Sequence, residues 1–118
     1  LDRLGRALTR MNAKIRVSGD PVPTKIDGPF LANMPHMLNL ATDFGDIDIT
    51  FTPAGRAGDY AGWKSSATSE LIDEGLVVSV ASLDDIIDSK QTANRAKDHL
   101  ALPYLESLRD ELRRQADE

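Results

Sequence analysis

The chain contains no cysteine. That single absence excludes disulfides, zinc–cysteine centres and thiol nucleophiles, and it suits a reducing compartment such as the cytoplasm. Basic tracts are also missing, and the formal charge is −5. Broad binding to nucleic acid rests on neutralising phosphates with Lys and Arg, so it is not expected here. The apolar runs are only a few residues long, well short of a membrane span. No secretory leader is visible. There is no G-x-S-x-G turn, and His36 and His99 have no recognisable nucleophile beside them, which leaves a small hydrolase little support.

The 118 residues suffice for one compact domain or part of one. A chain of this size buries roughly two thirds of its unfolded surface, so it needs no staples. Leu1, Leu4, Leu8 and Met11 recur at helical spacing over residues 1–13 with no N-cap before them. The chain is therefore expected to open partway through a longer pattern. A short strand follows at 15–18, then a proline- and glycine-rich loop over Ser18–Pro29. "PFLANMP" reads as one helical turn closed by Pro35.

"MLNLAT" (Met37–Thr42) and "DIDITFT" (Asp46–Thr52) alternate as two strands of a hairpin around "DFGD". "PAGRAGD" is a loop. Asp59–Ala67 is a weak helix in which Gly62 opposes local propensity, with Trp63 read as its packing anchor and, as the alternative, a base-stacking surface. "SELIDEGLVVSVAS" holds two short strands around "DEG". Ser82 to about Asn94 is a helix. Residues 96–115 form another, interrupted near Pro103, with Leu105, Leu108 and Leu112 as its buried line. This order predicts an α+β fold, a small sheet with helices packed against it.

Two places carry candidate chemistry. The first is the strand Asp46–Thr52. Its side chains alternate faces, so Ile47, Ile49 and Phe51 point inward and Asp46, Asp48, Thr50 and Thr52 outward. The two acids then sit on one face with α-carbons about 7 Å apart. Adjacent carboxylates repel unless a cation, a donor or water intervenes. Magnesium takes one or two carboxylates together with substrate phosphates, so the pair is a candidate metal site. A polar strand face that is simply wet is the competing reading, and from the strand alone it is the stronger one.

The second place is "SLDDIIDSKQTANRAKD" (Ser82–Asp98). Ser82 is a good N-cap, and Asp85 stands three residues on in capping-box position. Asp84 and Asp85 suit the first turn of a helix. Leu83, Ile86, Ile87, Lys90 and Asn94 fall on one stripe, while Asp84, Asp88 and Gln91 face outward. Lys90 thus lies in line with the residues the helix buries. Either its methylenes pack and its charge snorkels to the rim, or the stripe runs into a polar cleft where the amine meets phosphate or carboxylate. Arg95, Lys97 and Asp98 follow closely.

"LNLATDFGDIDITFTPAG" followed by "VVSVASLDDIIDSKQTANRAKDHLALPYLESL" resembles the bacterial nucleotidyltransferase-fold family, some of whose members are toxins of toxin–antitoxin pairs. The resemblance covers nearly all of 1–118 as a single domain and implies a mixed sheet with flanking helices. It implies a metal-dependent reaction, with Mg²⁺ or Mn²⁺, that moves a nucleoside monophosphate from an NTP to a protein, RNA or small-molecule acceptor. By resemblance, Asp48 and then Asp46 correspond to the third metal-binding and catalytic acid. Lys90, Arg95, Lys97 and Asp98 correspond to the nucleotide-binding set. A cognate antitoxin and self-association are the partners it suggests, with no membrane. The family's Gly-Ser turn and first Asp-x-Asp strand have no counterpart in these residues, so this chain is expected to be inactive by itself. The alternative is a non-catalytic interaction or regulatory protein that keeps the fold.

Overall fold

The computed structural model describes residues 1–18, 20–35 and 37–117. The elements run α1 (Asp2–Arg10), β1 (Lys14–Val17), β2 (Asp20–Val22), α2 (Gly28–Ala32), β3 (Met37–Thr42), β4 (Gly45–Thr50), α3 (Tyr60–Ser65), β5 (Thr68–Asp73), β6 (Leu76–Val80), α4 (Leu83–Ala93) and α5 (Ala96–Ala116). This is α+β structure. It divides into two compact units, Leu1–Thr52 and Pro53–Glu118.

The first unit is a four-stranded sheet in the order β2-β1-β3-β4. Leu8 of α1 and Leu31 of α2 meet Leu38 and Leu40 of β3, with Ala13 and Ile26 completing the buried cluster. Ile15, Ile49 and Phe51 pack around it. Alternation therefore assigns the faces: β4 turns Ile47 and Ile49 inward and leaves Asp46 and Asp48 exposed. The register pairs Asn39 with Asp48 and Ala41 with Asp46.

Every pairing among the described residues is antiparallel. The mixed sheet expected above needs a parallel pair, and parallel strands need a long crossover, whereas β3–β4 and β5–β6 are joined by tight turns. The loop expected over 18–29 also contains a strand, β2. Pro21 sits in it opposite Arg16. It is tolerated because β2 is the sheet's edge, where a missing N–H costs no ladder bond. Asp27 then caps α2, accepting from the Phe30 N–H at 3.0 Å.

The second unit joins α3, the β5–β6 hairpin and the α4–α5 pair. Gly62, a poor helix former, is required by packing: a Cβ there would collide with the Ala57 carbonyl oxygen. Asp59 caps the same helix through the Gly62 N–H at 3.0 Å. Trp63 is half-buried, and its indole N–H has no hydrogen-bond partner. α5 runs through Pro103 unbroken. A proline costs the one hydrogen bond its missing N–H would make, and the turns on either side carry the helix past it. Leu105 is half-buried, but Leu108 and Leu112 are exposed, so the buried line expected along this helix ends early. Ile87 is the buried apolar side chain of this unit among the described residues. No helix among the described residues is long and apolar enough to cross a membrane.

Candidate functional site

In the second unit the chain itself explains why Lys90 lies on the apolar stripe of α4. Ser82 caps the helix, accepting from the Asp85 N–H at 3.1 Å. The Asp85 carboxylate does not reach back to complete the box, and one of its oxygens is unpartnered. At the far end Asn94 adopts a left-handed conformation, φ 54°, which ends α4 and turns the chain sharply. Arg95 is extended, and α5 begins at once. This tight corner sets the last turn of α4 beside the first turn of α5, where Asp98 stands.

Asp98 is 0% exposed. Its Oδ2 accepts from the Arg95 backbone N–H at 3.1 Å and from Arg95 Nε at 2.8 Å. Its Oδ1 accepts from the Arg95 guanidinium at 3.3 Å and lies 3.6 Å from Lys90 Nζ. The side-chain hydrogen bond from Arg95 is the main reason the carboxyl pKa is lowered to about 2; burial opposes it, and the Lys90 charge adds to it. The stripe thus ends in a buried carboxylate, and the Lys90 side chain remains 32% exposed. Of the four residues expected to bind nucleotide, Lys90, Arg95 and Asp98 converge. Lys97 is on the same first turn of α5, exposed. Three cations against one anion leave the corner positive, in a chain that is acidic overall.

The expected metal acids belong to the first unit. Asp46 and Asp48 are exposed on β4 as alternation requires. Both are already engaged by one cation, Arg16 of β1. Its Nη1 is 2.6 Å from Asp46 Oδ2, and its Nη2 bonds Asp48 Oδ1. The hydrogen bond with Asp46 is the largest influence on Arg16, raising its pKa above the ordinary guanidinium value. Among the described residues no group of three or more His, Cys, Asp or Glu side chains converges as a metal site. Two carboxylates holding a guanidinium between them do not fit a resident divalent ion as they stand.

The reading of the sequence passed over Arg16. Its signal was there: in "KIRV" the flanking Ile15 and Val17 put Arg16 on the polar face. What was missing was the strand order that brings β1 within reach of β4. A second omission is the grip of Asp88 on the loop at 53–58. Asp88 Oδ2 accepts from the Arg56 N–H at 2.7 Å, and Oδ1 lies 3.2 Å from Arg56 Nε. Of the two histidines, His99 is exposed on α5, and His36 lies outside the described residues.

No family model matches the chain, and neither does a curated protein or a solved structure.

Proposed function

We propose that this chain is a nucleotidyltransferase-fold protein whose α4–α5 corner binds the phosphates of a nucleoside triphosphate. The supporting observation is the buried Asp98 holding Lys90 and Arg95 side by side. A carboxylate fixed in the interior orients two cations without neutralising both, and Lys97 adds a third. Lysine offers a point charge and arginine a planar fork of donors, the two chemistries that phosphates bind. The reaction of such a protein transfers a nucleoside monophosphate to an acceptor hydroxyl on a protein, RNA or small molecule. A new oxygen–phosphorus bond forms at the α-phosphorus while the bond to pyrophosphate breaks. Lys90 and Arg95 would balance charge on the departing phosphates. Magnesium or manganese would arrive as the counterion of the nucleotide; Asp48 and Asp46 are its protein ligands by resemblance only, and with Arg16 across both they do not serve it as they stand. The reading implies the cytoplasm, where nucleoside triphosphates are kept.

Titration calorimetry with Mg²⁺–NTP tests it. Saturable binding that Lys90→Ala weakens about tenfold, the effect of one lost charge-assisted contact, is expected. No saturable binding with any of the common NTPs overturns it. A second reading, a non-catalytic interaction or regulatory protein of the same fold, is favoured by Arg16 lying across both acids. No rise in melting temperature with millimolar Mg²⁺–ATP would select that second reading.

A further inference from the structure

We propose that Arg16 is the resident cation of the Asp46–Asp48 pair and closes it to divalent metal in the free protein. The inference rests on the first unit alone and does not depend on nucleotide binding at the α4–α5 corner.

Alternation puts Lys14 and Arg16 of β1, Asn39 and Ala41 of β3, and Asp46 and Asp48 of β4 on one face of the sheet. β3 lies between β1 and β4, so the arginine must cross about 10 Å to reach the acids. Only a long side chain spans that distance. Ala41, opposite Asp46, offers no bulk in its way, and the face there is a shallow concavity of about 440 Å³ lined by Arg16, Ser18, Asn39, Ala41 and Asp46.

The contact is divided, which is what distinguishes it from an incidental ion pair. One terminal nitrogen takes Asp46 and the other takes Asp48. The guanidinium therefore stands where a bridging cation would stand, and it relieves the repulsion between two carboxylates on one strand face. It is also the more covered partner, 24% exposed against 62% and 54% for the acids. A guanidinium does not lose its proton at any working pH, so the cation is permanent.

A divalent ion entering this pair would have to expel the fork. It would then sit beside the displaced guanidinium and meet like-charge repulsion. Lys14 shares the face but makes no ion pair with either acid among the described residues, so it is a weaker competitor. Removing the Arg16 charge leaves two facing carboxylates with no fixed counterion, the minimum that a hard ion such as Mn²⁺ uses.

Mn²⁺ binding measured by electron paramagnetic resonance tests the proposal on the whole chain. The wild type is expected to show no saturable binding into the millimolar range, of order 1 mM. Arg16→Met is expected to gain saturable binding at least about tenfold tighter, and adding Asp48→Asn should erase the gain. Equal binding by wild type and Arg16→Met overturns the proposal, whether both bind or neither does. Should Arg16→Met fail to fold, the wild type still decides by nuclear magnetic resonance. The Arg16 guanidinium protons should be resolved through hindered rotation and should survive added Mg²⁺, a diamagnetic ion. Their loss at low Mg²⁺ would show the fork expelled from the acids and overturn the proposal.

Discussion

Gly55→Ala is the sharpest test of how the second unit is built. Gly55 has φ +114°, a conformation that side-chain-bearing residues rarely adopt. Forcing it on alanine costs about 1–2 kcal/mol. The added Cβ would also lie 2.7 Å from Asp88 Oδ2 and 3.1 Å from the Ser89 Cα. The carboxylate can swing aside, but the helix backbone cannot. When Asp88 swings, it releases the Arg56 N–H that it holds at 2.7 Å. A hydrogen bond of this charged kind is worth about 1–2 kcal/mol after discounting for its exposed setting. The Arg56 guanidinium contact adds little, because that side chain is 86% exposed.

The sum is about 2–4 kcal/mol. In a unit this small that corresponds to a fall of about 8 °C or more in the melting temperature. Amide hydrogen exchange reads the same event locally: the Arg56 N–H should lose its protection in Gly55→Ala. Asp88→Asn keeps an acceptor of the same shape and should cost only about 1 kcal/mol. Unchanged Arg56 exchange together with a melting temperature within about 2 °C of wild type would refute the reasoning, because the loop would then not rest on α4 through these atoms.

Leu40 is 0% exposed at the centre of the first unit, and Leu40→Ala should cost about 3–5 kcal/mol in denaturant unfolding. A loss below about 1 kcal/mol would mean that the site collapses around the smaller residue. Asp98 has a pKa lowered to about 2 in the folded chain, against about 4 for an unfolded aspartate. The folded value is the lower one, so its stabilisation is full above about pH 4 and is lost as pH falls towards 2. The stability gap between wild type and Asp98→Asn should therefore be widest at neutral pH and close in that window. A gap constant across the window would contradict the sign.

The sequence was informative where periodicity and chemistry agree. Ser82 capped its helix because a hydroxyl there meets a free N–H whatever lies around it. Ile47 and Ile49 alternated with Asp46 and Asp48, so the acids of β4 were assigned to the polar face correctly. The extent of β4 was overstated, since Phe51 continues the pattern but follows the last ladder pair, Met37 with Thr50. Pro103 and Gly62 misled for one reason: propensity is a local quantity. The helix around Pro103 keeps its other hydrogen bonds, and at Gly62 the Ala57 carbonyl of the preceding loop leaves no room for a Cβ.

Amino-acid order alone determined most element types, though not the edge strand β2, and it determined the faces of β4, the cap of α4 and the placement of a lysine on an apolar stripe, because each depends on neighbours within a few residues. Tertiary structure decided which charges meet. Strand order carried Arg16 across β3 to two aspartates, and the corner at Asn94 set Lys90 beside a buried Asp98. Those encounters join residues far apart in the chain or separated by a turn. Coulomb energies depend on distance and burial, which no spacing rule supplies.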